Sequence, residues 1–126
     1  DEQSTGSSTA AIYCTRPITL ENPSTAFDVR LTQNVRSTSD VEVYFRATSA
    51  EEVRNIDELN WTPFNTDGSE DVTVTPAEDA GTFKEYKYTA SDITEFTAFQ
   101  IKIVMKGTNS AYPPVIKDLR GIALAV

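Results

Sequence analysis

The sequence holds few of the residue types that carry out covalent chemistry. It contains no histidine and a single cysteine, Cys14, which excludes catalytic sites with a histidine base, internal disulfides and cysteine-rich zinc sites. Its five glycines are scattered along the chain and form no phosphate-binding loop. Two chemistries remain for the 19 Asp and Glu residues: paired carboxylates that hydrolyse a glycosidic bond, and a calcium site.

Neither carboxylate chemistry has a specific signature here. No pair of acidic residues is singled out for acid–base work, so we expect no enzymatic activity. The stretch 67–79 offers oxygen ligands for calcium, but "DGSED" lacks the spacing of a calcium-binding loop. We interpret these acids as solvated turn residues and expect neither a metal nor another cofactor. They are Asp67, Glu70, Asp71, Glu78 and Asp79.

Three aromatic residues beside predicted turns form the best candidate binding site. Trp61, Phe64 and Tyr112 could stack on sugar rings, which would make the chain a carbohydrate-binding, receptor-recognition module for a cell-surface glycan. The other interpretation is that Trp61 and Phe64 cover an edge of the core while Tyr112 packs on the neighbouring prolines. We favour packing, because aromatic residues near turns usually pack.

The net negative charge of the chain is concentrated in one segment. Positions 51–79 hold nine acidic residues and one base, Arg54, and therefore account for the whole net charge of −8. An acidic chain without a basic stripe is poorly suited to nucleic acid. No apolar run approaches the roughly 20 residues of a membrane-spanning helix, so we predict neither nucleic-acid binding nor membrane insertion.

The elements that must position these residues are short strands. Apolar and polar residues alternate in runs separated by turn-forming residues, whereas helical spacing occurs only near 50–59, where we predict one short helical turn with Ser49 as N-cap. About eight such runs predict an all-β fold, an antiparallel β-sandwich of jelly-roll type. The clearest runs put these sets on one face: Phe27, Val29 and Leu31; Val41, Val43 and Phe45; Phe99, Ile101, Ile103 and Met105.

Further predictions concern individual segments. "WTPFN" and "DVTVT" read as short strands, and the imperfect alternation of "TFKEYKYTA" predicts a bulged or edge strand. Cys14 alternates with Ile12, which predicts a buried thiol. At the end of the chain, alternating Ile122, Leu124 and Val126 predict a central strand beside the first one, with these three side chains in the core.

The domain organisation follows from composition. Residues 1–9, "DEQSTGSST", contain no apolar side chain and predict a flexible linker or leader. The remaining 10–126 have the length of a single domain.

From residue 10 to its end, the chain resembles a β-rich C-terminal module of virion structural proteins from contractile-tailed phages, notably marine cyanophages. The resemblance rests on "YCTRPITL", "FDVRLTQN", "DVEVYFRA", the loop "NWTPF", "FKEYKYTA" and above all "FTAFQIKIVMKGTNSAYPPVIKDLRGIALA". In this last segment an "FQIKIVM" strand is followed by "TNS", a proline-bearing loop and "IKDLRGIALA".

This resemblance implies a structural role in the tail, baseplate or fibre region of a virion that is assembled in the host cytoplasm. The implied partners are other virion proteins, including further copies of the chain, and no catalytic residue is carried over. Within "IKDLRG", Asp118 and Arg120 share a strand face. They are candidates either for an interface or for a rim ion pair worth about 0–1 kcal/mol.

Overall fold

The computed structural model describes residues 9–35, 39–49, 55–79, 81–107 and 115–124. Within these ranges the chain forms eight strands, two 3-10 turns (Ile56–Glu58 and Phe64–Thr66) and no α-helix. None of the described helical turns is long and apolar enough to cross a membrane. The strands are β1 (Thr9–Cys14), β2 (Ile18–Ser24), β3 (Ala26–Asn34), β4 (Ser39–Thr48), β5 (Thr62–Pro63), β6 (Lys84–Ala90), β7 (Phe96–Gly107) and β8 (Val115–Leu124).

The strands build two antiparallel sheets. In the five-stranded sheet β7 is central: β1 and β2 pair with successive parts of it, β4 pairs along its other side, and β5 borders β4. In the three-stranded sheet β3 lies between β6 and β8. The predicted all-β, antiparallel, sandwich-like fold is confirmed. Of the predicted leader, residues 1–8 lie outside the described residues, and Thr9 opens β1.

The core lies between the two sheets and is lined by the residues that alternation placed together. The predicted inward faces of β3, β4 and β7 are confirmed, with Met105 partly buried at the margin. Phe27 is central, with ring centroids 4.6 Å from Phe96, 4.8 Å from Phe99 and 5.0 Å from Phe45. The buried members on these three strands are Phe27, Val29, Leu31, Val41, Val43, Phe45, Phe99, Ile101 and Ile103.

The last strand is not where the sequence pattern suggested. β8 pairs with β3 along its whole length and is the last strand in the order of the three-stranded sheet. The prediction of a central strand beside the first one is therefore wrong, because β1 belongs to the other sheet. An alternating pattern identifies two faces of a strand, but it does not say which strand will be its neighbour.

The register of β8 also reverses the predicted inward face. Val29, which is fully buried, lies opposite Gly121, whereas Ile122 lies opposite Asp28 on the other face of β3. The described apolar contacts of β8 with the core come from Ile116 and Leu119. A register shift beside Thr32 explains how two residues three apart reach the same side, since a bulge inserts an extra residue. Leu124 pairs with Ala26, and Val126 lies outside the described residues.

One prediction about a short element is confirmed and another is corrected. The helical turn near 50–59 is confirmed as the 3-10 turn Ile56–Glu58, which begins after Asn55, whose backbone N–H donates to Glu58 Oε1 at 3.2 Å. Residues 50–54, which would follow the predicted cap Ser49, lie outside the described residues. Residues 71–75, "DVTVT", form no strand. The Asp71 N–H donates instead to the Lys87 carbonyl oxygen at 2.8 Å, and the Val74 N–H donates to Glu70 Oε2 at 3.1 Å.

The imperfect alternation of "TFKEYKYTA" arises because Phe83 precedes the strand, which begins at Lys84. β6 is an edge strand that pairs with β3 without a register shift, so the predicted edge position is confirmed and no bulge is present. Tyr86 and Tyr88 both point into the core.

Candidate functional site

A row of cationic and aromatic side chains crosses the outer face of the five-stranded sheet. The register places Lys102 opposite Tyr44 and Gln100 opposite Arg46. Trp61, just before β5, lies beside them: the Arg46 guanidinium carbon is 4.1 Å from the centroid of its ring, and Lys102 Nζ is 5.0 Å away. Lys102 Nζ is also 4.8 Å from the Tyr44 ring. Such cation–π contacts hold the half-buried indole against the sheet.

Hydrogen bonds fix the arginine of this row in place. Arg46 Nε donates to Gln100 Oε1 at 2.8 Å, and its Nη1 donates to the Leu59 carbonyl oxygen at 3.1 Å. Gln100 Nε2 in turn donates to the Thr15 carbonyl oxygen at 2.9 Å. The predicted candidate Trp61 thus contacts cations of its own chain, which compete with a sugar for the face of its ring.

The other two aromatic candidates are not brought together with Trp61. Phe64 is fully buried and packs edge-on against Phe45 and Tyr88, with centroids 4.9 and 5.9 Å apart. The packing interpretation favoured for Phe64 is confirmed, and its candidacy for a sugar site is wrong, because a ring enclosed in the core offers no face to a ligand. Tyr112 lies outside the described residues.

The two interface candidates of the last strand keep the arrangement that alternation predicts. Asp118 and Arg120 occupy register positions opposite Thr32 and Arg30 of β3. These positions share one face of the sheet, away from the core-facing Leu31. A role of the pair in an interface stays a prediction.

Acidic side chains in the loop after β5 accept hydrogen bonds from other residues of the chain. Asp71 accepts hydrogen bonds from Asn65 Nδ2 at 2.8 Å and from the N–H and Oγ1 of Thr89 at 3.0 and 2.6 Å. Burial by itself would raise the pKa of Asp71, but these hydrogen bonds hold it below its usual value. Bonds from the hydroxyl and N–H of Ser69 likewise lower the pKa of Asp67. Among the described residues no group of three or more Cys, Asp or Glu side chains is arranged to hold a metal ion.

A cleft of about 330 Å³ opens where β4 separates from the chain before β5. The two strands pair only at Tyr44–Pro63 and Phe45–Thr62, so the ladder ends where the cleft begins. Its volume is at the lower end of the range for small-ligand pockets. Sequence reasoning missed it because its walls come from three separate segments. Its lining consists of Phe45, Arg46, Ala47, Leu59, Asn60, Thr62 and Ile93.

The largest departure from the sequence predictions is β1, an apolar edge strand exposed on both of its faces. Ile12 is 64% exposed and Tyr13 is 49% exposed, and Ile18 at the start of β2 is 40% exposed. Cys14 is exposed as well, so the prediction of a buried thiol is wrong. Alternation correctly put Ile12 and Cys14 on one face, but that face is the outer one, which they share with Val104 and Lys102 of β7.

β1 ends at a short interruption before β2. Pro17 separates the two strands and has no N–H to donate to a ladder. Thr15 bridges part of the gap, since its N–H donates to the Ile101 carbonyl oxygen and its Oγ1 accepts from the Ile101 N–H, both at 3.0 Å. β1 is thus firmly paired with β7 along one side.

No protein-family model and no curated protein matches this chain.

Proposed function

We propose that this chain is a non-enzymatic structural module of a phage particle, which contacts other virion proteins in the tail, baseplate or fibre region. The observation that carries the proposal is the apolar edge formed by Ile12, Tyr13 and Ile18. Large apolar side chains exposed along one sheet edge are a surface that a partner could cover. The resemblance of the segments between residue 10 and the end supplies the viral context.

Phage particles provide the test of this assembly role. The gene is expected to lie among capsid and tail genes, and antibodies raised against the purified chain are expected to label one region of the particles in electron micrographs. Particles of a phage that lacks the gene serve as the control. Unlabelled particles, or a gene lying among polysaccharide-processing genes, would contradict the assembly role.

A carbohydrate-binding module is the second candidate, and the cleft between β4 and β5 favours it. Its lining combines the apolar Phe45 and Ile93 with the polar Arg46, Asn60 and Thr62. Polar groups that converge on a small cleft can orient a ligand rich in hydroxyl groups.

A glycan array with the unaltered chain and three variants tests this second candidate. If the cleft binds a sugar, Asn60→Ala is expected to weaken the binding at least several-fold, whereas Asn22→Ala, an exposed asparagine on β2, is expected to leave it unchanged. Trp61→Ala shows whether the cationic row contributes. Absence of any glycan binding by the unaltered chain would refute the carbohydrate function.

A further inference from the structure

We propose that β1 pairs with β1 of a second copy of the chain, so that two five-stranded sheets join into one antiparallel sheet across a twofold axis. The inference rests on the proposed assembly function and names the partner of the same edge. A twofold contact is self-complementary, because each copy offers the same strand.

The backbone of β1 has hydrogen-bonding groups on its outer side that such pairing would use. Thr15 directs its N–H toward β7, and N–H and C=O groups of successive residues in a strand point to opposite sides. The groups of Ala10, Ile12 and Cys14 therefore point away from β7. No hydrogen bond from another described backbone group reaches them. An unpaired strand edge is a template for pairing with another strand.

The side chains of β1 lack the features that block edge pairing. Proteins protect exposed edges with charged residues, proline or bulges. β1 has the sequence "TAAIYC", contains no charged residue or proline, and pairs with β7 without a register shift. With Ile12 at 64% and Tyr13 at 49% exposure, pairing would cover apolar surface as well as backbone groups.

The other edge strands contain charged residues or proline, which points to β1 as the edge used. β6 carries Lys84, Glu85 and Lys87; β8 carries Lys117, Asp118 and Arg120; and the chain after β5 carries Asp67, Glu70 and Asp71. β2, beside β1 along β7, contains Glu21 and Pro23, and β5 contains Pro63, so β1 is the one edge strand of the described sheets with neither a charged residue nor a proline.

The net charge of −8 does not oppose contact at this edge. β5, with its acidic loop, lies at the opposite end of the sheet from β1, since the strand order is β1-β7-β4-β5. With strands about 4.8 Å apart, two copies joined at β1 would hold their β5 strands about 34 Å apart. That is about four Debye lengths at physiological salt, so the two acidic segments are screened from each other.

The expected association is weak. A single strand of six residues covers less than the roughly 800 Å² per partner that is typical of stable interfaces. We therefore expect a monomer at about 10 µM and a substantial dimer fraction near 1 mM.

Light scattering and sedimentation of the full chain across this concentration range test the association. Ile12→Lys is expected to abolish the dimer, because it places a charge on the pairing edge. Val72→Lys is the matched control: it adds the same charge at a side chain that is 77% exposed and is expected to leave the dimer unchanged. Thermal unfolding checks that both variants are folded.

Amide exchange measured by NMR identifies the strand. The amides of Ala10, Ile12 and Cys14 are expected to exchange at least several-fold more slowly in concentrated than in dilute samples. Those of Ala11 and Tyr13 point toward β7 and are expected to stay equally protected in both. Isotope-filtered cross-peaks in a mixture of labelled and unlabelled chains are expected between β1 residues of two copies.

A chain that stays monomeric near 1 mM would overturn the pairing, as would a dimer that survives Ile12→Lys or protects other amides. Failure of the pairing is distinguishable from failure of the assembly function. In the first case particles are still labelled by the antibodies while the isolated chain is monomeric. In the second the chain can dimerise while particles remain unlabelled.

Discussion

Phe27 shows how much one side chain contributes to joining the two sheets. It projects from β3 of the three-stranded sheet and contacts Phe45 and Phe99 of the other sheet, with ring centroids 5.0 and 4.8 Å away. Its side chain is fully buried. Aromatic pairs in these tilted geometries stabilise a core beyond the area that they remove from water.

Phe27→Ala is expected to lower the free energy of unfolding by about 3–5 kcal/mol, because it leaves a cavity among aromatic rings that cannot collapse to fill it. Urea unfolding at equilibrium measures the change. Val72→Ala, at a side chain that is 77% exposed, is the control and is expected to change the value by less than about 0.5 kcal/mol. A loss below about 1 kcal/mol for Phe27→Ala would contradict the position of this ring in the core.

Gln33 and Tyr88 form a buried polar pair in the same core. Gln33 Nε2 donates to Tyr88 Oη at 3.2 Å, and Gln33 Oε1 has no hydrogen-bond partner among the described residues. Burial raises the pKa of Tyr88 far above its ordinary value of 10.0, and the bond from Gln33 offsets only part of that rise.

Alkaline pH is expected to destabilise the fold through Tyr88. The folded protein keeps this proton while the unfolded chain ionises near pH 10.0, so the stabilisation is complete below pH 10.0 and is lost above it. The loss is at most about 1.4 kcal/mol per pH unit from this residue. Urea unfolding between about pH 8 and 11 measures the slope. Tyr88→Phe should be less sensitive to alkali than the unaltered protein, and equal slopes would rule this explanation out.

Among the elements, the loop after the second 3-10 turn depends on one glycine. Gly68 has φ +85°, which favours glycine, and its carbonyl oxygen accepts a hydrogen bond from the Val43 N–H at 3.0 Å. A Cβ added there would lie 2.9 Å from Glu42 Cβ and 3.2 Å from the Val43 nitrogen. This close approach fastens the acidic loop to the edge of β4.

Gly68→Ala is therefore expected to cost about 1–3 kcal/mol of unfolding free energy, from backbone strain and overlap together. Gly81→Ala is the matched control, because its nearest neighbour would be 3.7 Å away and its φ is not positive. Thermal and urea unfolding of both variants give the comparison. Equal losses at the two positions would show that the close contact at Gly68 does not constrain the fold.

At the scale of the whole molecule, the sheets depend on contacts between distant parts of the chain. β1 pairs with β7, so that Thr9 lies opposite Gly107, and β3 pairs with β8. Such pairings require large loops to close before any ladder bond is gained. Folding rates fall as contacts become less local.

Refolding from urea is expected to take milliseconds to seconds, as in other all-β domains with non-local pairing. Stopped-flow fluorescence can follow it through the only tryptophan in the chain, Trp61, whose contact with Arg46 forms on folding. Far-UV circular dichroism should give the same rate constant if folding is two-state. Completion within microseconds would contradict the dominance of long-range pairing.

How well the sequence predicted the structure depends on the scale. The faces of β3, β4 and β7 were predictable, because one side of each is enclosed and the period of two is clear. The fate of single residues was less predictable: the alternation of Cys14 with Ile12 indicated a buried thiol, but Cys14 is exposed. The cleft and the cationic row were not predictable, since both bring together residues far apart along the chain.

By itself the sequence determined that this chain forms short strands and which side chains share a face, since both follow from local spacing and turn chemistry. Only the tertiary structure decided which strands are neighbours and which face is enclosed. It placed β8 at the end of the three-stranded sheet and left β1 exposed at the edge of the other. The physical reason is that burial depends on what the opposite sheet covers. The three-stranded sheet leaves Tyr13 half exposed although its register partner Ile103 is fully buried.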